Sequence, residues 1–264
     1  MSQICQGMTA RLKAPAAIGL AVLASSIFST TQVQAEDKQN LVLNGFVSLN
    51  SQIRSRGISL TDESPSYMLN LNLIDKSGLY GSIYAFGVDG LGTYGGEDME
   101  VDYLLGYGTQ LGSVAVDGGM GLYHFPGTIG TSFNEFYLSG SKKIQDIESK
   151  LGLMYVPDRQ SVGGHDKLYV YADVSKPIAS LPLTAKAHIG YTSGKGNIYA
   201  GPTGEFIDYS LGVDYTWKQF IVNATYIGTT IDKAKADVYF ALPNAKKGSD
   251  MVGNSLMASV TYLF

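Results

Sequence analysis

Apolar and polar residues alternate with a period of two along most of this chain, the pattern of a strand with one greasy and one wet face. In 207–217 the odd positions are Ile207, Tyr209, Leu211, Val213, Tyr215 and Trp217, and the even ones Asp208, Ser210, Gly212, Asp214 and Thr216. In 183–192, Leu183, Ala185, Ala187, Ile189 and Tyr191 face one way, Thr184, Lys186, His188, Gly190 and Thr192 the other. Twelve such runs are predicted, near 41–55, 65–74, 79–88, 99–110, 114–125, 135–142, 147–157, 167–176, 182–192, 206–217, 220–229 and 251–264. The third alternates poorly, because Tyr80, Tyr84 and Phe86 share a face with Ser82. Outside the first 35 residues no segment keeps a helical period.

The connections alternate too. Long polar or Gly-rich loops follow odd runs (56–64, 89–98, and longest 230–250), whereas short turns follow even ones, down to Lys218-Gln219. This predicts an all-β fold, a 12-stranded antiparallel up-and-down transmembrane β-barrel with longer loops at one rim. An even count puts both ends of the barrel domain at the short-turn rim.

A soluble sandwich would also alternate, with the apolar face inside. Three features favour lipid outside. The apolar face carries essentially no charge, and charged residues make up only 16% of the chain, against ~25% in ordinary soluble domains. The run lengths suit strands that need roughly 9–11 residues to cross a bilayer. Aromatics gather at strand ends: Trp217, Phe220, Tyr262 and Phe264 at the short-turn end, and Tyr67, Tyr155, Tyr191 and Tyr226 nearer the long loops, as girdles at two membrane interfaces do. A terminal phenylalanine such as Phe264 also suits recognition by the barrel-assembly machinery.

Residues 1–35 read as a cleaved secretory signal. Arg11 and Lys13 precede a small, apolar run over 14–28, and Val33-Gln34-Ala35 is a small-x-small exit. The barrel domain is then 36–264. Without Arg11 and Lys13 the basic residues number 17 against 23 acids, a net charge of −6, which argues against a nucleic-acid partner. Cys5 is the only cysteine and lies in the signal, which excludes disulfides and cysteine metal sites from the barrel domain.

If polar faces look inward, parity assigns to the lumen Asp102, Asp117, Glu135, Glu148, Asp173, Asp208 and Asp214, with Arg54, Lys150, Lys167, Lys186 and His188. The acid excess predicts a weak cation preference in a pore. The competing reading is that these charges pair across the lumen and fill it, since twelve strands enclose little spare room. Arg56 and Gly57 are placed at the extracellular mouth: Arg56 either steers solutes there or pairs with Asp62 or Glu63, and Gly57 supplies a positive φ. Asp62, Glu63, Glu97, Asp98 and Glu100 are read as long-loop acids, solvated or bridging lipopolysaccharide through divalent ions. Catalysis is not expected. His124, His165 and His188 are far apart, without metal-ligand spacing, and His124 has no serine in a nucleophile context beside it. Neither metal nor cofactor is expected.

Several segments, in order, resemble one known family: Ser55-Arg56-Gly57-Ile58-Ser59, Glu100-Val101-Asp102-Tyr103 with Gly106-Tyr107, Tyr123-His124-Phe125-Pro126-Gly127, Glu135-Phe136-Tyr137-Leu138, Tyr155-Val156-Pro157-Asp158, Ala187-His188-Ile189-Gly190-Tyr191 and Asp208-Tyr209-Ser210-Leu211-Gly212-Val213. The chain is similar in these to the TorF family of porin-type outer-membrane barrels. That resemblance implies an outer-membrane barrel, and the sequence as a whole is read as a channel for passive diffusion of small hydrophilic solutes or ions across the outer membrane of a Gram-negative bacterium. The alternative is a non-conducting barrel whose extracellular loops bind a partner or serve a structural role. The segment 230–250, with Lys233, Lys235, Lys246 and Lys247, is longer and more basic than the family resemblance leads one to expect.

Overall fold

A computed structural model describes residues 41–158, 161, 163–195, 201–241 and 246–264; the expected signal over 1–35 lies outside them. Fourteen strands are seen among the described residues. They are β1 (Leu41–Asn50), β2 (Arg54–Ser55), β3 (Ile58–Ser59), β4 (Ser66–Asp75), β5 (Leu79–Gly87), β6 (Met99–Leu111), β7 (Val114–His124), β8 (Phe133–Ile144), β9 (Ile147–Val156), β10 (Lys167–Ile178), β11 (Leu183–Gly194), β12 (Glu205–Trp217), β13 (Phe220–Thr229) and β14 (Ser255–Leu263). Twelve of them close one barrel, each neighbour antiparallel, with β14 returning to β1; β2 and β3 form a separate small hairpin. Closure leaves no strand edge with unpaired backbone groups, the condition that hydrocarbon imposes. At the seam Phe46 faces Leu263 and Asn50 faces Ser259, while Gly45 and Phe264 exchange both backbone hydrogen bonds, 3.0 and 3.1 Å.

The faces are sorted as the alternation requires. Leu211 is 64% exposed on the outside, whereas Asp208 and Asp214, on the opposite face of the same strand, are 0% exposed. Leu43, Leu49, Leu151 and Leu256 also point outward. A surface of this kind is unsuited to water and suited to acyl chains. Trp217, Phe220, Tyr262 and Phe264 form one aromatic row near the short turns, with successive ring centroids 6.0, 5.2 and 6.4 Å apart. The poor alternation of the third run resolves simply: Tyr80, Ser82, Tyr84 and Phe86 of β5 all look inward and are buried.

Three sequence expectations need correction. The first strand ends at Asn50, not at residue 55. Its outward series Leu41, Leu43, Val47, Leu49 gives way to Ser51, which bonds back to Ala258 of β14, and the chain then turns into the barrel. Arg54 is therefore a hairpin residue rather than a wall residue. The last strand begins at Ser255 rather than 251, because the preceding loop coils into α1 (Lys233–Tyr239), capped by the Asp232 side chain on the Lys235 N–H, and α2 (Gly248–Val252). Glu100 belongs to β6 and faces the lumen, 1% exposed, not to a solvated loop.

Candidate functional site

The first long loop folds inward. Every residue from Gln52 to Thr61 is buried, and its centre is the hairpin β2–β3, with Arg56 at φ 49° and Gly57 at φ 77° forming the tip. Gly57 is required twice over. Its φ is left-handed, and a Cβ there would lie 2.3 Å from the Thr229 methyl and 3.2 Å from Asp208 Cβ. The tip thus rests against the β12–β13 wall. On one side, Ile53 and Leu60 join an apolar cluster with Phe46, Tyr84, Phe86, Tyr123, Phe125 and Phe133. There Tyr123 and Phe133 stack at 4.8 Å, an arrangement worth about 0.5–1.5 kcal/mol beyond burial. On the other, Ile58 packs with Phe206, Ala236, Phe240, Met251 and Val252 beneath α1 and α2.

Arg56 crosses the lumen. Leaving the loop between β1 and β4, its Nη2 donates to Glu135 Oε1 on β8, and its guanidinium carbon sits 4.5 Å above the Tyr169 ring of β10. Lys167 Nζ lies 4.0 Å from the same Glu135 oxygen, and the Tyr123 hydroxyl donates to Oε2 at 2.9 Å. Burial draws the Arg56 pKa down, but Glu135, with the Tyr123 and Tyr169 rings, more than offsets it, leaving the group above the usual arginine value. The partner of Arg56 is therefore neither Asp62 nor Glu63, and at 2% exposure it is interior rather than at an open mouth. Glu63 instead pairs with Arg54 at 3.0 Å, and Asp62 accepts both its hydrogen bonds from the Lys246 N–H. Arg54 also donates to Gly57 O, Gly253 O and Asp250 O, so hairpin and final loop are tied together. Burial lowers the Arg54 pKa, with Glu63 opposing; an arginine stays charged regardless.

Beside the tip lies a second polar group. His188 of β11 stands between two carboxylates: Nδ1 is 2.6 Å from Asp173 Oδ1 on β10, and Nε2 is 3.0 Å from Asp208 Oδ1 on β12. The Tyr169 hydroxyl meets both Nε2 and Asp208 Oδ1, at 2.8 and 3.2 Å. The Tyr169 ring reaches over Gly190 of β11, diagonal to its register partner Thr192; a Cβ on Gly190 would be 2.1 Å from the phenol oxygen. The same fit recurs for Tyr171 over Gly152 and Tyr80 over Gly106.

Toward the short turns the lumen is wetter. Asp117, Glu148, Lys150, Asp173 and Lys186 are partly exposed. Asp117 accepts from Tyr80 at 2.9 Å, Lys150 sits 5.8 Å from the Tyr171 ring centroid, and Lys186 pairs with Asp214 at 3.1 Å. Asp102 is buried beside Glu100 on the same face of β6. Of the residues assigned by parity, Glu135 and Lys167 meet at the hairpin tip, Asp173, His188 and Asp208 form the group next to it, and Lys186 and Asp214 make a separate pair. Sequence reasoning missed Tyr123 and Tyr169 as parts of the site. Both share the inward parity of an assigned charge two positions away on the same strand or its neighbour, which was the available signal.

The closed wall with ionisable groups inside defines a class of fold, the 12-stranded antiparallel up-and-down β-barrel. In fold the chain is similar to the KdgM porin (TM-score 0.54, 10% identity, covering 84% of this chain and 99% of that one). It is equally similar to the NanC porin (TM-score 0.54, 14% identity, the same coverage). No curated protein matches the sequence. The chain belongs to the family described as "Bacterial protein of unknown function (Gcw_chp)", whose model matches residues 34–264.

Proposed function

We propose that this chain is an outer-membrane porin-like channel of a Gram-negative bacterium, passing small hydrophilic solutes or ions passively, with a weak preference for cations. The observation that carries the reading is the sorting of side chains in a closed wall: Leu211 outward, Asp208 and Asp214 inward. Hydrocarbon outside and a polar passage inside is the arrangement in which such a wall is stable. The expected export signal over 1–35 and the likeness to TorF-family porins support the same location. Lipid and lipopolysaccharide surround the apolar belt, and the assembly machinery recognises the strand ending at Phe264.

The mechanism needs no energy source and no cofactor. Solutes enter the partly exposed half lined by Asp117, Glu148, Lys150, Asp173 and Lys186, where three carboxylates against two ammonium groups favour cations slightly. Passage is then set by the loop-1 hairpin. Burial of 52–61 in the lumen also favours a second reading, a non-conducting barrel whose loops bind an extracellular partner.

Single-channel recording of purified protein in planar bilayers separates the two. Stepwise currents with a reversal potential on the cation side support the channel. Folded, inserted protein that passes no current supports the plugged barrel. Doubly neutralised Asp117→Asn/Glu148→Gln protein should lose the cation preference.

A further inference from the structure

The lumen is unevenly charged. Strands β1, β5, β13 and β14 contain no charged residue, and β4 carries one only at its last position, Asp75. On this side Asn70, Asn72, Asn223, Thr225 and Thr261 point inward and are buried. Polar groups there are engaged with one another: Asn72 donates to Asn44 at 2.9 Å and to Asn70 at 2.6 Å, and the Ser82 hydroxyl donates to Asn72 at 2.6 Å. The inward charges that meet water stand on the other wall, on β7 and β9 to β11: Asp117, Glu148, Lys150, Asp173 and Lys186. A hydrated ion in the wet half therefore passes along these five.

The two ammonium groups among them are held differently. Lys186 has a partner of its own: Nζ is 3.1 Å from Asp214 Oδ2. Asp214 is 0% exposed, and Asn223 donates to its other oxygen at 2.6 Å. Lys150 is shared. Its register partner on β10 is Asp173, and Glu148 lies two positions before it on the same face of β9. Asp117 acts on it from β7, two strands away, so three carboxylates bear on one ammonium group. The Tyr171 ring, laid over Gly152, faces that group with its centroid 5.8 Å away. Other groups share these carboxylates without taking the place of Lys150. His188 meets Asp173 Oδ1 at 2.6 Å, Tyr80 donates to Asp117 at 2.9 Å, and Lys143, opposite Glu148, is exposed at the short-turn rim.

The difference decides what each lysine does for a passing ion. Without Lys186, Asp214 becomes a buried carboxylate stripped of its counter-ion, a state that takes up a proton rather than keep its charge. Without Lys150, Asp117 and Glu148 are still in contact with water and stay ionised, so their charge is bared to the path, where lining charge sets selectivity. We propose that Lys150 is the specificity-determining residue of the passage: its ammonium group is a tethered counter-ion among Asp117, Glu148 and Asp173, and by holding that place it keeps the preference for mobile cations weak. The inference rests on the channel reading.

Bilayer recordings under a salt gradient test it, the reversal potential giving the cation-to-anion permeability ratio. Lys150→Met keeps the stem of the side chain and should raise that ratio about threefold or more at low salt, the effect of one unit charge a few ångströms from a hydrated path. The rise should shrink at high salt, where the charges are screened. Lys150→Arg, which keeps the charge, should keep the parent ratio. Lys186→Met should move it less. Lys150→Met/Glu148→Gln should bring it back toward the parent. Each variant is shown to fold by heat-modifiable gel migration, and Lys150→Gln takes the place of Lys150→Met should the latter not fold. Currents in Lys150→Met with the parent ratio, or an equal rise in Lys186→Met, overturn the assignment to Lys150 and leave the channel reading in place. Folded, inserted parent protein that passes no current removes the channel reading, and this inference with it.

Discussion

Arg56 and Glu135 pair across the barrel, one carried on the loop that leaves β1, the other fixed in β8 on the far wall. Both are essentially buried. Their pairing makes loop 1 a crossbar, because the hairpin cannot swing toward the long-loop rim without parting them. Removing one member of a buried pair costs roughly 3–5 kcal/mol where the other charge is left uncompensated; here Lys167 and the Tyr123 hydroxyl still face Glu135, so the loss of Arg56 falls below that range. Arg56→Ala should therefore free the hairpin while the wall persists. The expected outcome is a larger or more frequent conducting state in bilayer recordings, with gel migration still that of a folded barrel. Glu135→Gln keeps the shape but removes the carboxylate charge facing both Arg56 and Lys167, and should free the hairpin at least as strongly.

The outward face can be tested directly at Leu211, in the middle of β12 and 64% exposed. Arginine on the lipid face near the bilayer midplane costs about 2–4 kcal/mol. Leu211→Arg should lower the stability of protein folded into lipid vesicles by that amount in urea titrations. Tolerance of the change would place this face in water.

Gly190 lies under Tyr169, leaving no room for a methyl group. Gly190→Ala should push the ring off the wall and strain the His188 group, a form of overpacking that costs roughly 1–3 kcal/mol. A control substitution at Gly81, where an added Cβ meets only Leu104 O at 3.8 Å and φ is not left-handed, carries neither overpacking nor a backbone penalty. The difference between the two in thermal unfolding measures the ring contact.

The lid formed by α1 and α2 should respond to acid. The Ser249 N–H donates to Asp237 at 2.7 Å, and this bond, the leading cause, holds the Asp237 pKa below the ordinary value of 3.8. A carboxylate depressed in the folded state contributes stability at all pH above its unfolded pKa and loses it as pH falls through the folded one. Protease cleavage within the lid should accelerate below about pH 4. Asp237→Asn should raise cleavage at neutral pH and flatten that dependence.

Much of the wall was legible in the residues. Period-two runs mark all twelve barrel strands, most within two residues of their ends, because a one-residue slip would turn every leucine of a strand inward. The hairpin was not legible as such. Arg54 continues the inward parity of β1, so periodicity alone keeps it in the wall; the departure is marked only by Ser51 replacing an outward leucine. Pairing partners were out of reach for a different reason. Arg56 is separated from Glu135 by 79 positions, and only the closure of the barrel brings them together, whereas Glu63 is near in sequence and yet belongs to Arg54. Glu100 looked like a loop acid because it follows a Gly-rich, acidic stretch; its spacing of two from Asp102 was the sign that it points inward.

The interlock between first and last loops has a consequence at the cell surface. Arg54 grips Gly253 O and Asp250 O, and Asp62 grips the Lys246 N–H, so segments almost two hundred residues apart behave as a single lever. On the proposed orientation that lever protrudes from the bacterium. An antibody fragment that seized the lysine-bearing helix would be pulling, at one remove, on the arginine that bars the passage.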